Sequence, residues 1–204
     1  MVGGLIMVHG DDRGLRLPPA VAPAQVVVCV VREGEGVGTA ASRLREELQG
    51  VGLRVELDDS TATSFGRRVV DWELKGVPVR VEIGPRDVEA STAVLARRDT
   101  GEKEVVRLAE VVSRTRELLG EIQEELLRDA REFRDRHTVS VGTASEAAEA
   151  ARSGWASIPW TVLGEEGESR LAEDGVSVRC LVRPDGGPAA EDDPDAIALA
   201  ARAY

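Results

Sequence analysis

Aromatic side chains make up only 3% of the 204 residues. An apolar interior therefore has to be built from Val, Leu, Ile and Ala. Cysteine is nearly absent: Cys29 and Cys180 lie far apart, each inside an apolar run. That spacing does not make a disulfide framework or a CxxC metal site, and the two read as buried, reduced thiols. Histidine occurs twice, as His9 and His137. His9 stands beside Asp11 and Asp12, but no set of ligands with metal-binding spacing accompanies it. No arrangement of Ser, His and Asp suggests nucleophilic catalysis. No apolar run approaches the roughly 18 residues of a membrane span. Positive charge is also in short supply. There are 26 Lys and Arg against 37 Asp and Glu, a net charge of -11. Taken alone, this balance argues against a nucleic-acid binder, because phosphates are held by Lys and Arg.

The chain is 42% hydrophobic and 31% charged, enough for one sizeable core with a small appendage. The opening MVGGLIMVHGDDRG lacks a basic leader and reads as a β-strand at Gly4–Val8 rather than a secretory signal. Residues 15–23 (LRLPPAVAP) are punctuated by proline and read as an extended linker. Residues 25–31 (QVVVCVV) are a β-branched run, suited to a strand buried on both faces. The glycines at 34, 36 and 38 follow that strand as a plain turn, without the spacing of a dinucleotide or P-loop site.

Residues 39–49 place Leu44 and Leu48 four apart among charges, an amphipathic helix closed by Gly50 and Gly52. Strand 53–57, a polar loop at 58–66 and a short helix at 67–75 follow. Residues 77–83 (VPVRVEI) alternate, Gly84-Pro85 is a turn, and 92–98 is a further strand. A long charged helix is expected from Val105 to about Arg136, with Leu118, Leu119, Ile122, Leu126 and Phe133 on its apolar side. The alternation is that of an α/β domain. A break in composition falls near 137–143. Beyond it come a short helix at 145–152, a glycine- and glutamate-rich loop after Trp160, a strand at 176–182 and the acidic tract 191–195. This is read as a small, weakly cored second module. No internal repeat is present.

Arg80 and Glu82 fall on one face of the 77–83 strand, and Arg86 follows its Gly-Pro turn. Arg67, Arg68, Arg97, Arg98 and Lys103 are expected to join the same end of the sheet. Two readings stand: a solvated edge laced with ion pairs, or a surface for reading bases. In the second, Arg would pair with guanine O6 and N7, and carboxylates would accept from base amino groups.

The segments WELKGVPVRVEIGPRD at 72–87 and RRDTGEK at 97–103 resemble the anticodon-binding signature of prolyl-tRNA synthetases of the archaeal and eukaryote-like type. GGLIMVHGDDRGLRLPP at 3–19 resembles the end of that family's class II catalytic domain. GWASIPW at 154–160, VRC at 178–180 and the final Ala203-Tyr204 resemble its C-terminal module. The resemblance spans essentially the whole chain, with its motifs in order. It implies three segments: a remnant of the catalytic-domain end and linker at 1–23, a class II anticodon-binding domain at 24–125 (a mixed sheet flanked by helices), and a small α+β module at 126–204.

It also implies binding of proline tRNA, with Asp59, Arg68, Glu82, Arg86, Arg97 and Arg98 as the RNA-facing set. No catalytic residue and no cofactor is expected in this chain. ATP and Mg would belong to the family's catalytic domain, without which the chain is expected to be inactive. A catalytic synthetase domain or a second copy is the implied protein partner, in the cytoplasm and away from membranes.

Two departures from the family pattern stand out. Asp58-Asp59-Ser60 replaces Asp-Asp-Arg, and Phe65-Gly66-Arg67-Arg68-Val69 replaces Pro-Gly-Trp-Lys-Phe, in the loop expected near the anticodon. The four-cysteine zinc site of many members is expected to be lost, with Thr161 and Ala190–Asp193 at ligand positions and Cys180 alone kept. Much of the excess negative charge falls in 161–204, leaving 24–125 nearer to balance. A truncated synthetase, a free-standing tRNA-binding paralogue and a protein-interaction module are the organisations compatible with this reading.

Overall fold

The structure, a computed structural model, describes residues 2–202; Ala203 and Tyr204, part of the resemblance above, lie outside them. Helix α1 (Val2–His9) leads into a hairpin of two short strands, β1 (Gly10–Asp11) and β2 (Gly14–Leu15). The strand expected at Gly4–Val8 is thus a helix. Among the described residues no sheet strand pairs with it, and a helix satisfies its own backbone groups locally. The proline-rich stretch is no free linker: Leu17, Pro18 and Pro19 are buried. The Arg54 guanidinium ties it down by donating to Ala22 O and Pro19 O, each at 2.9 Å.

The chain then alternates as β3 (Val26–Val30), α2 (Val37–Gly50), β4 (Val55–Asp58), α3 (Phe65–Lys75) and β5 (Val79–Ile83). Next come α4 (Pro85–Ala90), β6 (Thr92–Arg97), β7 (Lys103–Arg107) and α5 (Val111–Arg136). Pro85 starts a helix rather than a simple turn, as its fixed φ and missing N–H allow at a first helical position. β7 occupies residues assigned above to the long helix, which begins only at Val111, after one 3₁₀ turn.

The sheet order is β4-β3-β5-β6-β7. β3 runs parallel to β4 and β5, whereas β6 and β7 run antiparallel. α2 and α5 cover one face through Leu44, Leu48, Leu118 and Ile122, all at most 2% exposed, against Val26, Val28, Val79, Val81 and Leu95. Each such side chain stabilises the fold by about 1.5–3 kcal/mol relative to exposure. On the other face, α3 brings Phe65 and Trp72 against Val27, Cys29 and Val77. Burial there pushes the Cys29 thiol up to about 12, with the Asp58 charge adding to it, so the thiolate is inaccessible at neutral pH.

Two compact units divide after Arg128, within α5. The second unit holds β8 (Thr138–Ser140), α6 (Ala144–Ala150), β9 (Trp155–Pro159), α7 (Trp160–Glu173), β10 (Val176–Val182) and β11 (Ile197–Arg202), with sheet order β10-β11-β9-β8. It has its own core of Ala156, Ile158, Trp160, Leu163, Leu171 and Ala198. The loop expected after Trp160 is a helix, kinked at Gly164. Gly167 accommodates Leu163: a Cβ there would sit 2.7 Å from Leu163 Cδ1. Two expected burials fail. Cys180 is exposed, beside a register shift in β10 that begins at Val178. Phe133 is exposed and stacks on His137 at 4.1 Å, because the packed stripe of α5 in the first unit ends at Leu126.

Candidate nucleic-acid interface

Glu82 sits on the central strand β5, on the face that α3 covers only in part. Its register runs Glu82↔Val94↔Val105 across β6 and β7, and that of Arg80 runs Arg80↔Ala96↔Lys103. Cross-strand partners share a face, so this side of β5–β7 presents Glu82, Val94, Lys103, Val105 and Arg107. Val105 is 69% exposed, which marks the β7 end of the face as uncovered. Glu82 is buried and never left as a lone charge. Arg80 Nε donates to its Oε1 at 2.9 Å, and Lys103 Nζ donates to both oxygens at 2.9 and 3.0 Å. Lys103 remains half exposed, so an incoming hydrogen-bond donor can exchange with it at the carboxylate. The solvated edge considered above is therefore a central strand with buried pairs.

The carboxyl ends of the parallel strands form a second part of the site. In open α/β sheets this is where ligand crevices form. Asp58, the last residue of β4, accepts from Arg68 Nη1 at 3.0 Å, from the Trp72 indole at 2.6 Å and from the Ser60 amide at 3.2 Å. Burial alone would raise its carboxyl. The indole, amide and guanidinium donors outweigh that and hold it below the usual carboxylate range. Arg68 also donates to Val30 O at 2.6 Å and Thr63 O at 3.2 Å. One buried guanidinium thus ties the ends of β3 and β4 to the 59–64 loop. Residues 31–33 and 61–65 line an open cleft of about 560 Å³ beside it. Arg86, in the first turn of α4, is exposed, as is Asp59. Pro85 packs on the neighbouring 34–36 loop: a Cβ on Gly34 would lie 2.5 Å from Pro85 Cγ.

Arg97 and Arg98 do not join that end. β6 is antiparallel to β5, and Val79 pairs with Arg97, so both arginines lie at the amino end of β5. The expectation of a single cationic end is corrected accordingly: Arg86 follows the carboxyl end of β5, and Arg97, Arg98 and Lys103 cluster at the other. Arg97 is bound by Asp99 at 2.6 Å, by Glu121 at 3.4 Å and by Glu125. Its bonds to Asp99 chiefly, and to Glu125, raise its affinity for the proton. Arg98 is clamped by Asp11, with its two terminal nitrogens at 3.0 and 2.7 Å, and its Nε donates to Glu73 O at 3.1 Å.

Of the six residues singled out above, Asp59 and Arg86 face solvent, whereas Arg68, Glu82 and Arg98 are buried and paired, and Arg97 is paired within a half-buried network. Asp11, Asp58 and Trp72 shape the site and were not singled out. Asp58 differed in no local way from its neighbour Asp59, and Asp11 acts on a residue 87 positions away.

Residues 25–118 match the family described as "Anticodon binding domain". The chain is 53% identical over 206 residues to a proline–tRNA ligase of Frankia casuarinae, covering 100% of this chain and 44% of that protein. It is 42% identical over 191 residues to the chloroplastic/mitochondrial proline–tRNA ligase of Arabidopsis thaliana, covering 88% of this chain and 35% of that one. Among solved structures, prolyl-tRNA synthetase from Cryptosporidium parvum, complexed with halofuginone and AMPPNP, superposes with a TM-score of 0.84 at 27% identity. That match covers 100% of this chain and 45% of the other. The chain thus spans less than half the length of the curated relatives it matches.

Proposed function

We infer, for a chain that carries the anticodon-binding domain of the prolyl-tRNA synthetases, that residues 25–118 bind the anticodon stem-loop of proline tRNA across the β5–β6–β7 face and the adjoining loop ends. The carrying observation is Glu82, a carboxylate held on an incompletely covered sheet face between Arg80 and a half-exposed Lys103. Such a group accepts from a base amino group, while Lys103 is freed to meet the negative RNA.

Asp59 and Arg86 contact the RNA from the carboxyl-end rim in this reading. Arg68 acts by holding the 59–64 loop, and Arg97 and Arg98 by fixing the turn that carries Lys103. β5 is only about 13 Å long, so one RNA loop of several nucleotides reaches both rims. Ser60 and Arg67 sit in and beside the loop nearest the cleft and tune which bases are accepted.

Ligation of proline to that tRNA, with ATP and Mg²⁺, is assigned to this chain only in company with a catalytic domain, in the cytoplasm, with a second copy as the natural protein partner. The test is binding of the chain to proline tRNA and to the same tRNA with a substituted anticodon, across a salt series. Tighter binding of the natural anticodon, with log affinity falling linearly in log salt, is expected. Equal affinity for the two would remove the anticodon from the reading, and absence of binding would overturn it.

A further inference from the structure

The hairpin β1–β2 precedes the matched domain but is fastened to it. Asp11 takes both terminal nitrogens of Arg98, and its remaining capacity accepts the Arg13 amide at 2.8 Å. Gly14, at φ 124°, packs so closely on α3 that a Cβ there would lie 2.6 Å from Leu74 Cα. The residues at the hairpin tip, Asp12 and Arg13, therefore project from a fixed base.

Arg13 is exposed and makes no ion pair among the described residues, in a chain with a net charge of -11. Its guanidinium lies against the turn between β6 and β7: a Cβ on Gly101 would be 3.4 Å from Arg13 Nη1. Two residues further on, Lys103 reaches Glu82. An unpaired cation is thus held at the rim of the β5–β7 face by a part of the chain outside residues 25–118. Asp12, its neighbour in sequence, and Glu102, the neighbour of Gly101, are exposed as well.

We propose that Arg13 contacts a phosphate of the RNA bound on the β5–β6–β7 face, so that the hairpin is part of the RNA-binding surface. This rests on the reading of that face as an RNA site. It adds a contact that positions the RNA backbone and carries no base information.

The experiment compares the full chain with Arg13→Gln and Arg13→Lys, using proline tRNA and its anticodon-substituted form over a salt series. One lost phosphate contact on single-stranded RNA lowers the slope of log affinity against log salt by about 0.7, a loss of about fourfold near 0.15 M salt. Arg13→Gln is expected to show both changes equally on the two RNAs, with an unaltered melting temperature. Arg13→Lys should restore the slope. Wild-type binding with an unchanged slope in Arg13→Gln would overturn the inference and leave the RNA face standing. Failure of the wild-type chain to bind either RNA would overturn the face itself. A loss confined to the natural anticodon would show Arg13 reading bases, against the phosphate assignment.

Discussion

Asp58 and Arg68 form an ion pair at 3.0 Å in which the two side chains are only 9% and 4% exposed. Removing one partner from such a pair leaves an uncompensated buried charge, a cost of about 3–5 kcal/mol. Asp58→Ala also strips the Trp72 indole of its acceptor. Chemical denaturation of Asp58→Ala should show a loss in that range. The pair Asp58→Leu with Arg68→Met should lose far less than the sum of the two single changes, because no charge is left stranded. Additive losses would mean the pair is not coupled in the folded protein.

Asp11 gives the fold an acid-sensitive fastening. Its bonds from Arg98, foremost, and the Arg13 amide hold its carboxyl at about 2, against an ordinary value near 3.8. Between those values the unfolded chain binds more protons than the folded one, so stability rises with pH across the window. The contribution is complete above about pH 4 and disappears as pH falls through about 2. The lowered carboxyl of Asp58 acts in the same direction. Thermal melts from pH 7 down to 2 should therefore show a steep loss at the acid end. Asp11→Asn should be less stable at neutral pH and have a shallower profile between pH 4 and 2. A profile parallel to that of the wild type would remove Asp11 from the acid transition.

The parts of the fold legible from sequence are those where local pattern and tertiary fate agree. The β-branched run around Val28 had to be a strand buried on both faces, and the Leu44/Leu48 stripe had to be a helix facing it. β7 was not legible, because Val105 and Val106 are adjacent and give no clean alternation. Its strand character comes from pairing with β6. β11 is alanine-rich, of low intrinsic strand preference, and is a strand because it lies between β9 and β10. In the site, residue types were readable but their partners were not. Glu125 meets Arg97 across 28 positions, and no local spacing announces that a conspicuous arginine is already engaged.

Gly76 meets the β1–β2 hairpin at Leu15. It closes α3 at φ 74° and accepts the Leu17 amide at 3.3 Å. A Cβ on it would lie 2.7 Å from Leu15 Cβ and 3.0 Å from Leu15 O. Gly76→Ala combines left-handed backbone strain, about 1–2 kcal/mol, with a clash against backbone that cannot rotate away. A loss of at least about 2 kcal/mol in denaturant unfolding is expected. Gly50→Ala, where a Cβ would meet nothing within 4 Å, should not reproduce it.

Arg86 and Arg98 both fall in the RNA-facing set that the family resemblance implies, yet their environments separate them. Arg86 is exposed on the first turn of α4, where truncation leaves no buried group unpaired. Arg98 is 5% exposed and bound to Asp11 and Glu73. Arg86→Ala should weaken proline tRNA binding and lower its salt slope while leaving the melting temperature within a degree or two, since exposed changes fall within about 0.5 kcal/mol. Arg98→Ala should act first on stability, by about 1–3 kcal/mol, because the Glu73 carbonyl loses its donor and the hairpin loses its tie through Asp11. Its effect on RNA should be reproduced by Asp11→Ala, which also unfastens the hairpin but leaves the arginine in place. If Arg98→Ala abolished binding while Asp11→Ala bound normally, Arg98 would be a direct RNA contact that leaves Asp11 when RNA arrives, rather than a residue that holds the hairpin and turn in position.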